Sequence, residues 1–324
     1  MSSKVLITGG AGCIGSDLAE VLVARGDHVT VLDNLSSGRR EHLEALLPHA
    51  NFRFIQGDLL DPNALDAAMD SVEMVYHLAA NPDVKFTPGD ATDKDLKQNT
   101  LATYAVLETM RQHRVKNLAF SSTSAVYGIC ETFPISEQQA PQPISLYGAS
   151  KLACEALIGS FQHLFDMRCW IFRFANIVGK KVRSRGRTVI ADFAHKLLAD
   201  PTTLPILGDG KQAKSYLLSR ECVEAMLFAI EHAERPINTY NLGCSDSITV
   251  DRIAELMVEA MHLDNVRFEY TGTEGGWAGD VPRFLLDVSA INQLGWQAQH
   301  NSEQAIRFAI ENTLLELKQA TCKP

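Results

Sequence analysis

Long hydrophobic runs, paired metal-ligand spacings and an excess of positive charge are all missing from this 324-residue sequence. No apolar stretch approaches the roughly 18 residues of a membrane span, so no membrane-spanning segment is expected. Lys and Arg total 30 against 39 Asp and Glu, a formal charge of −9. That balance leaves no basic field to hold a nucleic-acid backbone. The seven cysteines (Cys13, Cys130, Cys154, Cys169, Cys222, Cys244, Cys322) are odd in number and never form C-x-x-C. They read as free thiols in a reducing cytosol rather than as a disulfide framework or zinc site. The ten histidines show no H-x-x-x-H spacing, and no metal is expected. The chain reaches Gly9-Gly10 after a short apolar stretch and then carries Asp17 and Glu20. A secretory leader does not look like this, so the expected location is the cytoplasm.

What is present is enough apolar material for a large core, at 46% hydrophobic residues, in a chain longer than the roughly 250–300 residues at which single cores stop growing. Two lobes are therefore expected. The apolar runs Val5-Leu6-Ile7, His28 to Leu32, Phe52 to Ile55, Met74 to Leu78 and Leu118 to Phe120 alternate with helical spacings. One long helix is predicted from Leu96 to His113 and another from near Tyr147 to Phe165, followed by a strand at Cys169 to Phe172. Near-continuous apolar strands alternating with helices predict an α/β fold, a doubly wound parallel (Rossmann) sheet covered on both faces. Beyond Asn176 the elements shorten and mix. Residues 1–176 are read as a dinucleotide-binding domain carrying the catalytic residues. Residues 177–324 are read as a mainly substrate-binding, smaller mixed α/β lobe, with some segments packing back on the first.

The first motif is Gly10-Ala11-Gly12-Cys13-Ile14-Gly15, where Gly9, Gly12 and Gly15 also fit G-x-x-G-x-x-G. Glycines allow a tight turn and close backbone approach, and the exposed N–H groups of the first helical turn face a pyrophosphate. The motif lies between a predicted strand and a helix, and Asp33 ends the next strand. Asp33 can accept from both ribose hydroxyls and would repel a 2′-phosphate, which favours NAD over NADP. Asp58, after the third strand, is placed to accept from the adenine amino group or to cap a helix.

The second motif is Tyr147-Gly148-Ala149-Ser150-Lys151. Four residues apart on a helix, the phenol and the ammonium share a face. Tyrosine ordinarily titrates near pH 10, and a neighbouring positive charge favours the phenolate that a base requires. The hydroxyl-rich strand end Ser121-Ser122-Thr123-Ser124 lies where a parallel sheet opens its ligand crevice.

With these segments the chain resembles the extended short-chain dehydrogenase/reductases of the NAD-dependent epimerase/dehydratase family, most of all the UDP-glucose 4-epimerase branch. The resemblance rests on Thr8 to Gly15, Asp33 to Gly38, Gly57-Asp58-Leu59, His77 to Ala80, Asn99, Ser122 to Gly128, Tyr147 with Lys151, and Arg173 to Asn176. In the second lobe it rests on Leu207 to Gly210, Asn241-Leu242-Gly243 and Gly279 to Pro282. It implies that Thr123, Tyr147 and Lys151 are catalytic. It further implies that NAD is held by Gly9, Gly12, Cys13, Ile14, Gly15, Asp33, Asn34, Ser36, Ser37, Gly38, Asp58 and Leu59. Leu78, Ala79, Ala80, Asn99 and Ala175, with Tyr147 and Lys151, would complete the cofactor site. Thr123, Asn176, Lys214 and Arg283 are assigned to a nucleotide-sugar substrate, and a homodimer is implied.

Ser124 and Ala125 stand where similar 4,6-dehydratases carry an acid pair, and decarboxylases of the superfamily carry Glu at the position of Ala125. Neither side chain titrates, so both activities are disfavoured. Two substrate-clamping arginines expected from the resemblance are replaced, the first by Lys214 and the second by the segment Gly275-Gly276-Trp277. Arg283, or the cluster Arg183, Arg185 and Arg187, is the candidate replacement, although an Arg run after Lys180-Lys181 is more often a solvated loop. Glu221 stands where Asp is usual and is read as structural. The leading expectation is a UDP-hexose 4-epimerase working through a 4-keto sugar. The alternatives are a nucleotide-sugar 4-dehydrogenase or reductase and, more remotely, a non-catalytic NAD sensor.

Overall fold

The structure is a computed structural model and describes residues 2–85, 89–181, 188–272 and 281–321. The first half of the chain alternates strands and helices: β1 (Lys4–Thr8), α1 (Cys13–Ala24), β2 (His28–Asp33), β3 (Phe52–Gln56), α2 (Pro62–Met69) and β4 (Met74–His77). A π-helical turn at Leu96–Leu101 leads into α3 (Ala102–His113), followed by β5 (Asn117–Thr123), α4 (Leu146–Phe165) and β6 (Arg168–Phe174). Successive residues of a strand face opposite sides of its sheet, and β1 shows the consequence. Val5 and Ile7 enter a core with Leu18 and Leu22 of α1, while Leu6 enters a second core with residues of α2, α3 and α4. Both faces are buried, which is why these strands carry no polar alternation.

The second half adds β7 (Asn176–Val178), α5 (Val189–Ala199), β8 (Thr203–Ile206), β9 (Ala213–Lys214), β10 (Tyr216–Leu218), α6 (Ser219–His232) and β11 (Ile237–Leu242). It finishes with β12 (Ile248–Thr249), α7 (Val250–Ala260), β13 (Arg267–Tyr270), β14 (Arg283–Phe284), α8 (Ser289–Leu294) and α9 (Ser302–Thr321). The main sheet has seven strands in the order β11-β6-β5-β4-β1-β2-β3, all parallel. The strand order reverses between β1 and β4, and the carboxyl ends there open a crevice.

Its seventh strand arises well beyond the point where the sequence pattern loses its regular alternation. The β11 sequence Ile-Asn-Thr-Tyr-Asn-Leu hides the apolar signal because two of its residues are asparagines. Asn238 donates to the Arg235 carbonyl at 2.7 Å, and Asn241 donates to the carbonyls of Ile135 and Asp287 at 2.9 and 3.1 Å. A separate core of Ile190, Phe193, Leu197, Leu256, Ile306 and Ile310 joins α5, α7 and α9 into the smaller lobe. Helix α9 runs from that core towards the loop after β2, where Glu316 lies 3.6 Å from Arg39.

Candidate active site

The glycine turn between β1 and α1 is shaped by contact. Gly9 has φ of +71°, and a Cβ on it would lie 2.7 Å from the Ala79 backbone. Only glycine tolerates both conditions, so the segment Leu78-Ala79-Ala80 is drawn against the turn. The Ala79 N–H donates to Thr8 Oγ1 at 3.3 Å. Helix α1 begins after Gly12 with no side-chain cap and no acid in its first turn. Its dipole favours an anion at that end. Asp33 accepts from Ala11 N at 2.9 Å and Leu35 N at 2.8 Å. Burial nevertheless raises its carboxyl above the usual range.

Around Asp33, Asn34 donates to Asp58 at 2.9 Å and accepts from Ser36 N at 3.0 Å, while Gly38 packs on Ala11 and Leu59 is buried. Ser37 lies between them in the same loop. A carboxylate beside a bare helix N-terminus fits the ribose and pyrophosphate of a dinucleotide.

Across the crevice, β5 ends at Thr123, whose Oγ1 accepts from Ala125 N at 3.1 Å. Ser145 caps α4 by accepting from Gly148 N at 3.1 Å. A Cβ on Gly148 would lie 2.5 Å from the Ala125 carbonyl, so glycine lets the first turn of α4 close on the turn after Thr123. Tyr147 and Thr123 line the same cavity. Lys151 follows one turn later, 2% exposed, with Nζ donating to the Ser121 carbonyl at 2.6 Å and lying 4.6 Å from the Phe120 ring centroid. Burial pulls its ammonium down to about 8. Asn99, in the π-turn, donates to Ser150 Oγ at 2.8 Å and accepts from Asn81 N at 2.8 Å.

The cavity, of about 650 Å³, is lined by Thr123, Tyr147 and Ala175 from the main-sheet region and by Lys214, Tyr216 and Phe284 from the short strands β9, β10 and β14. Ile14 and Asn176 also reach it, while Cys13 sits half-buried at the start of α1. Arg283 does not line it and is exposed. On a strand, adjacent residues point to opposite faces, and here Phe284 has the inward one. Trp277 and the cluster Arg183, Arg185 and Arg187 lie outside the described residues. Glu221 is 5% exposed and accepts from Gln299 N at 2.6 Å and His300 N at 3.1 Å, a structural tether at the start of α6. Among the described residues no cluster of three or more His, Cys, Asp or Glu could hold a metal ion, and no helix is long and apolar enough to cross a membrane.

Two features escape the motif reading. His77 is buried between Thr8 Oγ1 at 2.7 Å and Thr103 Oγ1 at 3.0 Å, and burial holds its imidazole at about 3, hence neutral. Behind Thr123, Ser122 Oγ donates to Glu155 at 2.5 Å, and Arg173 forks onto the same carboxylate at 3.1 and 2.7 Å. Arg173 continues to Tyr127 at 3.0 Å, which donates to Asn241 at 2.7 Å. The YxxxK spacing carries no sign of this network, although Glu155 stands one further helical turn along α4, where i, i+4 neighbours meet.

Comparison with known proteins gives a consistent set. The NAD dependent epimerase/dehydratase family matches residues 5–243. The UDP-glucose 4-epimerase of Mycolicibacterium smegmatis is 30% identical over 313 residues, covering 95% of this chain and 97% of that protein. UDP-arabinose 4-epimerase 1 of Arabidopsis thaliana is 32% identical over 329 residues, covering 93% and 76%. Among solved structures, Thermotoga maritima UDP-glucose 4-epimerase with UDP-glucose is 29% identical with a TM-score of 0.87, covering 97% of this chain and 99% of that one.

Proposed function

The chain belongs to the NAD-dependent epimerase/dehydratase family, and from that premise we propose that it is an NAD-dependent UDP-hexose 4-epimerase acting through a transient 4-keto sugar. One observation carries the reading: Thr123, Tyr147, Ala175 and Lys214 line a single cavity. The relatives named for glucose and arabinose 4-epimerisation support the reaction position more firmly than the sugar.

The glycine turn and the start of α1, with Cys13 and Ile14, hold the pyrophosphate, and Asp33 takes the adenosine ribose. Asn34, Ser36, Ser37, Gly38, Asp58 and Leu59 surround the adenine side, while Leu78, Ala79, Ala80, Asn99 and Ala175 flank the nicotinamide side. NAD supplies the acceptance and return of hydride at the sugar C4. Tyr147 takes the O4 proton as the C4–H bond breaks and returns it when that bond re-forms on the opposite face. Thr123 holds the sugar oxygen through both steps. Lys151, buried and charged at neutral pH, favours loss of the Tyr147 proton and binds the nicotinamide ribose. Positioned acid–base help of this kind is worth roughly 10²–10⁴-fold. Ser124 and Ala125 bear no titratable group, which supports return of the hydride over loss of water.

Residues 177–324 supply most of the substrate wall, with Lys214 against the diphosphate and Asn176 near the sugar. Leu101, Tyr104 and Leu164, 46%, 48% and 67% exposed on the π-turn, α3 and α4, support a homodimer through these helices. A solution mass of one chain would remove that part. Cys154, Cys169, Cys222 and Cys244 are buried free thiols, which supports a cytoplasmic setting. Their recovery as disulfides from native cells would count against it.

The test is incubation with UDP-glucose, UDP-galactose and their N-acetyl, uronic-acid and pentose counterparts, following product stereochemistry together with NADH absorbance. Interconversion of a 4-epimer pair without net NADH is expected. Stoichiometric NADH with a keto product would make the chain a 4-dehydrogenase instead.

A further inference from the structure

Asp17 lies on the cofactor helix α1, touches no part of the cavity and is 7% exposed. Both oxygens of its carboxylate are taken by the second half of the chain. Oδ2 accepts from Ser219 Oγ at 2.5 Å, and Oδ1 lies 3.2 Å from Lys181 Nζ. Lys181 also pairs with Glu20, one turn on, at 2.7 Å. Ser219 directly follows β10, and Lys181 comes three residues after the end of β7. These two strands are parallel partners, with Asn176 opposite Tyr216 and Val178 opposite Leu218.

Their amino ends carry Asn176 and Tyr216, which line the cavity, and Lys214 lies two residues before Tyr216. Their carboxyl ends therefore meet at one carboxylate on the helix whose start receives the cofactor. The fit there is tight: a Cβ on Gly179 would lie 2.1 Å from Ser219 Oγ and 3.1 Å from Cys13 Sγ.

We propose that Asp17 is a positioning residue of the reaction, clamping β7 and β10 to the cofactor helix so that the substrate wall keeps its distance from the cofactor while the ketone waits for its hydride. The inference rests on the epimerase reading. In the forward half the sugar loses hydride from C4 to the cofactor and the O4 proton to Tyr147. If the ketone leaves before both return, one ketone, one reduced cofactor and one protonated Tyr147 remain. Misplacement by about 1 Å costs up to about 10²-fold in such a geometry, so a loosened clamp slows return and raises escape together.

The full-length holoprotein is compared with Asp17→Asn, which keeps the shape and a partner for Ser219, with Lys181→Met, which removes the cation instead of the carboxylate, and with the double variant. Each single variant is expected to form 4-epimer about tenfold more slowly and to accumulate about tenfold more NADH per product. NADH affinity should stay within about twofold, and the double variant should be no worse than the worse single one, because the pair acts as a unit. Wild-type rate and NADH leakage in both variants would overturn the proposal. So would losses that track bound cofactor or melting temperature alone, since Asp17 would then be merely structural.

Should the wild type interconvert no UDP-sugar, the functional reading fails by itself. The clamp is then decided by whether NADH tightens UDP binding more in the wild type than in Asp17→Asn. Equal coupling would overturn it.

Discussion

The two walls of the cavity are built in different ways. The wall from the main sheet places Thr123 and Tyr147 in front of a continuous buried polar network. Ser122, Glu155, Arg173, Tyr127 and Asn241 are linked by bonds of 2.5–3.1 Å, and Lys151 is tied to the Ser121 carbonyl. The opposite wall presents Lys214, Tyr216 and Phe284 from strands of two or three residues. Networks of satisfied buried polar groups rigidify what they hold. On the proposed reading, the acid–base pair stands on the part of the molecule held by a buried polar network, while the residues facing the substrate stand on strands of two or three residues.

Removal of the proposed reacting group from the main-sheet wall, with the network behind it left intact, carries the largest expected effect. Tyr147→Phe is expected to lower turnover by about 10³-fold while NAD binding is retained, read by product formation and by cofactor titration. A variant with wild-type turnover would move the acid–base role elsewhere. Next comes the network itself. Arg173→Leu leaves the buried Glu155 carboxylate without its guanidinium partner and is expected to cost about 3–5 kcal/mol of stability, measured by urea unfolding. A loss below about 1 kcal/mol would class the pair with surface ion pairs and remove the basis for calling this wall rigid.

The pH profile gives a smaller, more specific effect. Burial holds Lys151 at about 8, with His77, Cys154 and Glu155 facing it, so the folded chain releases this proton before the unfolded chain does. Turnover per substrate concentration should fall as pH rises through about 8. The contribution of Lys151 to stability should rise between about 8 and 10.5, because only the unfolded state still binds the proton there. Activity and stability therefore move in opposite directions. An alkaline fall in activity that follows unfolding step by step would show that Lys151 is not its cause.

Much of the rigid wall was legible in the sequence because local spacing controls it. Gly9, Gly12 and Gly15 mark the turn, Asp33 ends its strand, and four residues on a helix put Tyr147 and Lys151 together. What was not legible depends on partners distant in the chain. Asn241 closes its network 114 residues from Tyr127, and its own strand reads as polar because two asparagines satisfy backbone carbonyls. His77 likewise gives no signal of its own, since its role is set by Thr8 and Thr103. The substrate wall was the harder case: two-residue strands have no period to detect, so Phe284 and its neighbour Arg283 could not be assigned to faces until the register of β14 on β9 was known.

That last pair offers the finest test of the comparison. Lys214 lines the cavity and is the cation of β9, so Lys214→Ala is expected to weaken UDP binding by about tenfold, the roughly 1.4 kcal/mol that one charge-assisted hydrogen bond contributes at the low end, with turnover at saturation little changed. Arg283 sits opposite Ala213 in the parallel register, exposed and turned from the cavity. Arg283→Ala should therefore shift UDP affinity by less than about twofold, as surface changes usually do, when both variants are titrated with UDP at the same ionic strength. If Arg283→Ala instead lost as much as Lys214→Ala, the guanidinium would have to swing across the strand to reach the diphosphate. The substrate wall would then reorganise on binding, and its softness would extend from side chains to the backbone of β14.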